Sequence, residues 1–369
     1  MAEPWDHTGY AQRLVFGAGA LARLPELVDA VGARRVLLVT TAGRLASEDG
    51  RRLVGLLGSR LASTFAEVRS HVPVSLVRTA TRQARRDAVD AVVSFGGGSC
   101  ADLGKAVCFF TEQEAGTPGA SWTDRPALPH LAVPTTYSGA ELTPFFGMTD
   151  EGLRRKSGAG GPTIAPVAAV YDPELTVSTP PEVSAGTGMN ALAHCVEVAW
   201  SPSRTPEAEA VALAGARRIA GALPLVVADP ADLGARAAML AGAALGGRCL
   251  QNGSMGVHHG LSQLVGGRTG IPHGLANAVI LPHAVRFNEA AVPGAVRAVG
   301  EALGDPADAA GAVARLAAAV GLPSRLSECG VEEEDLAAVA AMAPDNGNVR
   351  ANPRPVSAED ALAILRAAF

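Results

Sequence analysis

A chain of 369 residues, 48% of them hydrophobic, has material for about two domains of ~150 residues each, and its net charge of −5 offers no basic surplus for nucleic acid or an anionic membrane. The 42 glycines and 25 prolines form no low-complexity block, which excludes a disordered chain. The opening "MAEPWDHTGY" carries acids and no hydrophobic stretch, so it does not read as a signal peptide, and no run of ~18 uncharged apolar residues is present to span a membrane.

In chain order, "VFGAGA" (15–20) precedes the first strand–helix unit and reads as a structural turn. "RRVLLVTT" (34–41) is a β-branched strand ending in turn formers, followed by helical "RLASEDGRRLVGLLGSRL". "STFAEVRSHVPVSL" suggests another strand and connector, and "RRDAVDAVVSFGGGS" a helix end, a strand and a glycine loop. "LPHLAVPTTYSG" and "PVAAVYDPEL" are further buried strands. Short apolar strands separated by helices argue for a parallel sheet covered on both faces.

After Asp172 the texture changes to alanine- and leucine-rich helices, among them "TPEAEAVALAGARRIAGAL", "ARAAMLAGAALGGRCL" and "PADAAGAVARLAAAVGL". The expectation is an α/β domain over 1–172 and an all-α domain over 173–369, with a ligand cleft between them. Cys100, Cys108, Cys195, Cys249 and Cys329 are odd in number and form no CxxC pair, which argues for free thiols in a reducing cytoplasm.

Two segments carry chemistry. In "AVVSFGGGSCADLGKAVCFF" (91–110) a glycine loop joins strand to helix; successive glycines let backbone approach a pyrophosphate, and free N–H groups at the helix start, from Ser99, suit an anion. It is neither GxGxxG nor a Walker loop, and a tight strand-to-helix turn explains the spacing as well. Strand "LLVTT" ends at Thr40 and Thr41 without the acid that often holds a ribose diol, which leaves room for a 2′-phosphate. The second segment is "GMNALAHCVE" (188–197), where Asn190 and His194 share a helix face. "GVHHGLSQLVGGRTGIPHGLANAVILPH" (256–283) adds His258, His259, His273 and His283. Converging imidazoles suit zinc or ferrous iron; satisfied core histidines are the plainer alternative.

The pieces "RLVFGAGA", "SFGGGSCADLGKA", "LAVPTTYSGAELTPFFGMTDEG", "VYDPELT", "TGMNALAHCVEV", "HHGLSQLVGG", "IPHGLANAVILPHAV" and "NPRPVS" resemble the iron-containing alcohol dehydrogenase superfamily over nearly the whole length, within it most of all the maleylacetate reductases. The resemblance implies the dehydroquinate synthase-like/iron-containing alcohol dehydrogenase fold, an α/β dinucleotide-binding domain plus an all-α domain. It also implies NADH or NADPH as cofactor, and a cytoplasmic homodimer acting on a small molecule, with neither nucleic acid nor membrane as partner. It places Gly96, Gly97, Gly98 and Ser99 at the phosphate loop, and Thr135, Thr136, Ser138 and Leu142 beside the nicotinamide. Thr41, Asp102 and Lys156 stand near matching cofactor positions. The superfamily's metal ligands Asp, His, His, His fall on Asn190, His194, His259 and His273.

Asn190 removes the only anionic ligand, as in the maleylacetate reductases this chain resembles. The expectation is catalysis that does not require a metal, by His194, His259, His273 and Asn190, with weak zinc in a vestigial site as the competitor. The family usually has a further histidine where Gln263 stands, and glutamine does not titrate near neutrality. Maleylacetate reductases tend to carry a basic residue at Gly260 and "PHAETH" where this chain has "PHGLAN"; Arg248 and Arg268 are the nearest cations for a dicarboxylate. The leading reading is NAD(P)H-dependent reduction of the activated double bond of an oxo-acid, maleylacetate to 3-oxoadipate, in aromatic compound catabolism. A carbonyl or enone reductase of a specialised pathway, and a non-redox enzyme on the same scaffold, are the alternatives.

Overall fold

A computed structural model describes residues 5, 8–116, 126–152 and 155–369. Most of "MAEPWDHTGY", and residues 153–154 of the "TDEGLRRKS" stretch, lie outside the described residues. The chain forms two compact units, one from Tyr10 to Thr179 and one from Pro180 to Phe369.

The first unit contains β1 (Arg13–Phe16), α1 (Leu24–Ala30), β2 (Val36–Val39), α2 (Ala42–Ala46), α3 (Glu48–Leu57), β3 (Leu61–Phe65), α4 (Val74–Arg86), β4 (Ala91–Gly96), α5 (Gly98–Glu114), β5 (His130–Pro134), β6 (Phe145–Asp150), β7 (Arg155–Gly160) and β8 (Ala168–Tyr171). Six strands make a parallel sheet in the order β1-β8-β5-β4-β2-β3, and β6 pairs antiparallel with β7 as a separate hairpin. Side-chain alternation divides the sheet between two cores. Val36, Leu38, Val93 and Phe95 pack with Leu24, Leu27 and Val28 of α1 and Leu53 and Leu57 of α3. Leu37, Val39 and Val92 pack on the other face with Val77 and Ala80 of α4 and Leu103 and Val107 of α5.

"VFGAGA" is a structural turn. Gly17 and Gly19 adopt φ of 140° and 74°, and the buried carboxylate of Asp172 accepts from the backbone N–H groups of Gly19 and Leu21 at 3.2 and 3.0 Å. The helical stretch after β2 breaks at Ser47, which caps α3 by accepting from Gly50 N at 3.0 Å.

The second unit is all helix: α6 (Pro181–Ala199), α7 (Pro206–Ala228), α8 (Leu233–Asn252), α9 (Val257–Thr269), α10 (His273–Glu289), α11 (Pro293–Leu303), α12 (Ala309–Ala319), α13 (Glu333–Met342), α14 (Gly347–Arg350) and α15 (Ala358–Ala367). Among the described residues only α7 is long and apolar enough to cross a bilayer by length and composition, yet Arg217 and Arg218 interrupt it and it packs against α6 and α8. Where α6 meets α10, a Cβ on Gly274 would lie 2.9 Å from the Gly186 backbone. That missing side chain lets the two helices touch beside His273, the first residue of α10. Reciprocal amide bonds join Asn288 and Asn352 at 3.0 and 2.8 Å, and Asn352 Oδ1 accepts from Val257 N at 3.2 Å, which fixes the start of α9 just ahead of its paired histidines.

Candidate active site

In the α/β unit, the strand-to-helix turn after β4 carries Gly96, Gly97 and Gly98. Gly96 has φ 144°, and a Cβ on Gly98 would come within 3.0 Å of Ser138 Oγ. Gly97, the cap of α5, packs against Thr136, whose Cγ2 would lie 3.2 Å from a Cβ there. The first-turn amides of the 17-residue helix α5, Ser99 among them, have no side-chain cap. The hydroxyls of Thr135 and Thr136 are buried without a hydrogen-bond partner. A cradle with no room for side chains, free helix-start amides and two orphaned hydroxyls fit the pyrophosphate of a dinucleotide.

Lys105 braces this region from below. Its fully buried ammonium donates to Ala140 O at 2.8 Å, Thr143 Oγ1 at 2.7 Å and Phe145 O at 2.5 Å, and pairs with Asp102 at 2.9 Å. It thereby fixes the turn holding Leu142, while Asp102 accepts from Gly147 N of β6 at 3.3 Å. Thr41 caps α2, accepting from Arg44 N at 3.2 Å. Glu67 lies beside Thr41 across an antiparallel bridge, an acid that the strand end itself lacks. Lys156 stands on β7 opposite Thr149, and burial lowers its ammonium from the ordinary lysine range.

In the helical unit, α6, α9 and α10 bring the predicted histidines together. The rings of His194 and His259 stack with centroids 4.9 Å apart, and His273 lies 6.2 Å from His259. Burial, reinforced by the neighbouring imidazoles, pushes His194 well below the usual histidine range. Glu197, one turn beyond His194, organises the group. Its carboxylate accepts from His258 N at 3.0 Å and His259 N at 3.2 Å, and lies 2.6 Å from His259 Nδ1. Burial raises that carboxyl, but the hydrogen bonds it accepts at His258 and His259 outweigh it and hold it ionised far below its ordinary value.

These contacts settle the tautomers. His258 Nε2 lies 3.0 Å from Asn277 O, a pure acceptor, so the proton is on Nε2 and Nδ1 is a lone pair. His259 Nδ1 faces Glu197 and, at 3.2 Å, that lone pair, so it carries the proton. His259 Nε2, buried and without a hydrogen-bond partner, therefore presents a lone pair, and His194 Nδ1 is likewise buried without one. A neutral His259 cannot donate to an enolate oxygen through Nε2. Orphaned ring nitrogens, one with a carboxylate behind it, fit a divalent transition-metal cation. Asn190 Oδ1 accepts from Asn277 Nδ2 at 2.6 Å, so the group that replaces the carboxylate is tied to α10.

The remaining predicted residues lie elsewhere. Gln263, one turn after His259 on α9, accepts from Asn348 Nδ2 of α14 at 3.1 Å. Arg268 pairs with Asp335 at 2.6 Å, Arg248 Nη1 donates to Gln251 Oε1 at 2.7 Å, and His283 is half-buried in the field of Arg286. Gly260 admits no side chain, because a Cβ there would fall 2.3 Å from Val349 Cγ2. Sequence reasoning missed Glu197, Asn277 and Lys105. Glu197 was signalled only by its place one turn after His194.

Residues 11–173 match the iron-containing alcohol dehydrogenase family and residues 184–369 the Fe-containing alcohol dehydrogenase family, C-terminal. The maleylacetate reductase of Burkholderia cepacia is 38% identical over 96% of this chain and 94% of its own length. The crystal structure of maleylacetate reductase from Rhizobium sp. strain MTP-10005 superimposes with a TM-score of 0.88 at 34% identity, covering 100% of this chain and 99% of that one. Sulfoacetaldehyde reductase from Bifidobacterium kashiwanohense, solved in complex with NAD+, gives a TM-score of 0.89 at 25% identity over 99% of both chains. The iron in the family's description lends no support to the expectation that a metal is unnecessary. The chain belongs to the iron-containing alcohol dehydrogenase family and is an NAD(P)H-dependent oxidoreductase akin to the maleylacetate reductases.

Proposed function

We propose that the protein reduces the activated double bond of a small oxo-acid with NADH or NADPH, maleylacetate being the substrate its relatives' names point to and 3-oxoadipate the product. The observation that carries this reading is the buried imidazole group around His259 with Asn190 in place of a carboxylate, on the scaffold shared with those relatives. NAD(P)H, when bound, would supply a hydride for the alkene carbon β to the ketone, which would leave an enolate. Asn190, whose carbonyl accepts from Asn277, puts an amide where the superfamily has a carboxylate, so no negative charge opposes the enolate there. A proton is then added at the neighbouring carbon, and His194, His273 or water would pass it, since His259 keeps its proton on the nitrogen facing Glu197.

His194, His259 and His273 would hold a divalent cation, which when bound would polarise the ketone oxygen. We read the exchange of carboxylate for amide as a weakening of that hold. An enolate has less need of a cation than the alkoxide formed in alcohol oxidation, so turnover persists without the metal. Gln263 is assigned to the proposed catalytic group of the helical unit and the glycine-loop and threonine residues to cofactor binding in the α/β unit, and the resemblance supports a cytoplasmic homodimer.

A second reading is favoured by the arginines: Arg248 and Arg268 are engaged with Gln251 and Asp335, and Gly260 has no room for a basic side chain. A neutral enone or aldehyde needs no such cation. Steady-state rates with maleylacetate against a panel of enones and aldehydes, before and after chelation, decide. The oxo-acid reading is lost if maleylacetate turns over no faster than simple aldehydes.

A further inference from the structure

Arg44, on the short helix α2, is half-buried and no carboxylate among the described residues pairs with it. Its guanidinium donates instead to two neutral hydroxyls, through Nη1 to Ser178 Oγ at 2.6 Å and through Nη2 to Thr179 Oγ1 at 2.8 Å. Burial lowers its pKa, and the charge of Asp49 opposes this. A guanidinium removed from water without an anionic partner is costly, and an arginine fork in that state suits a phosphate.

Its surroundings say which phosphate. Thr179 Oγ1 donates in turn to Thr135 O at 2.7 Å, so Arg44 reaches across from the loop after β2 to the residue that follows β5. Arg44 also lies within electrostatic reach of Cys100, which sits in the first turn of α5 and packs on the cradle, its Sγ 2.6 Å from where a Cβ on Gly96 would stand. The orphaned hydroxyls of Thr135 and Thr136 lie at the same carboxyl ends of β4 and β5, the position where parallel sheets take their ligands.

We infer that Arg44 is a ligand of the cofactor's pyrophosphate, turning from the hydroxyls of Ser178 and Thr179 to the phosphate oxygens held over Gly97 and Gly98. The inference rests on the reading that this unit takes a nicotinamide dinucleotide. It adds a cation to a cradle otherwise made of backbone amides and hydroxyls.

Calorimetric titration with NADH, NADPH and ADP-ribose tests it on the full chain. Arg44→Gln keeps a polar amide donor at the position but removes the charge. It should weaken all three ligands by the same factor, on the order of thirtyfold, as loss of one partner of a buried charge pair does. Arg44→Lys should recover most of that loss, which a merely structural strap would not show. A loss confined to NADPH would overturn the inference and give Arg44 to the 2′-phosphate; unchanged affinities, with or without a lower melting temperature, would overturn it too. Failure of the wild-type chain to bind any of the three would instead sink the dinucleotide reading, and this inference with it.

Discussion

Glu197 Oε2 and His259 Nδ1 lie 2.6 Å apart, both buried, so the carboxylate decides which nitrogen of the imidazole faces the site. Glu197→Gln replaces a pure acceptor by an amide and releases that constraint. Affinity for zinc or cobalt should fall by about 10- to 100-fold, as for other residues that orient metal-binding histidines. Competition against a chromophoric chelator measures it. Unchanged affinity would mean that His259 is held in place without Glu197.

Asn190→Asp restores the anionic member of the group while keeping the acceptor that Asn277 uses. Tight divalent binding should appear, stronger by about tenfold or more, equivalent to at least roughly 1.4 kcal/mol. Metal analysis of the purified variant beside wild type reads this directly. Equal metal content and affinity would refute the idea that the amide weakens the site.

Lys105→Met keeps the length of the side chain but strips three acceptors and Asp102 of their shared partner. Breaking a buried charge pair on one side costs about 3–5 kcal/mol. Denaturant unfolding should show a loss of that order, with NADH affinity falling as the turn carrying Leu142 loosens. If stability falls and NADH affinity does not, Lys105 serves the fold alone.

Gly260→Arg would test whether a basic residue after the paired histidines can serve a dicarboxylate. The backbone of α9 places any Cβ at this position against Val349. We expect overpacking of about 1–3 kcal/mol and no gain in maleylacetate turnover. A variant of wild-type stability with a lower KM for maleylacetate would show that α14 yields readily.

Much of this was readable from residue order. β-branched runs such as "RRVLLVTT" marked the parallel strands because both faces of such a strand are buried, and Asn190 and His194 share a face because four residues make about one helical turn, whereas His259 and His273 reach them only through the packing of α6, α9 and α10. The hairpin of β6 and β7 escaped notice: "RKSGAG" has little apolar alternation, and its pairing with "FFGMTD" is not a local property. Glu197 escaped because a carboxylate on a helix reads as a solvated charge until tertiary packing buries it. At Gly260 the order of residues points to substrate chemistry but does not reveal the contact a Cβ there would make with Val349, which only tertiary packing creates.

The contact of Gly186 with Gly274 has a consequence for how this protein can vary. The separation between an imidazole on α6 and one on α10 is inherited from a hydrogen atom where any other residue has carbon. A single methyl at 274, chemically inert and absent from any reaction scheme, would act as a wedge between the helices bearing Asn190, His194, His273 and Asn277. Drift at that position is therefore closed to the protein even where its fold would tolerate it, and a change there would be felt first as altered chemistry.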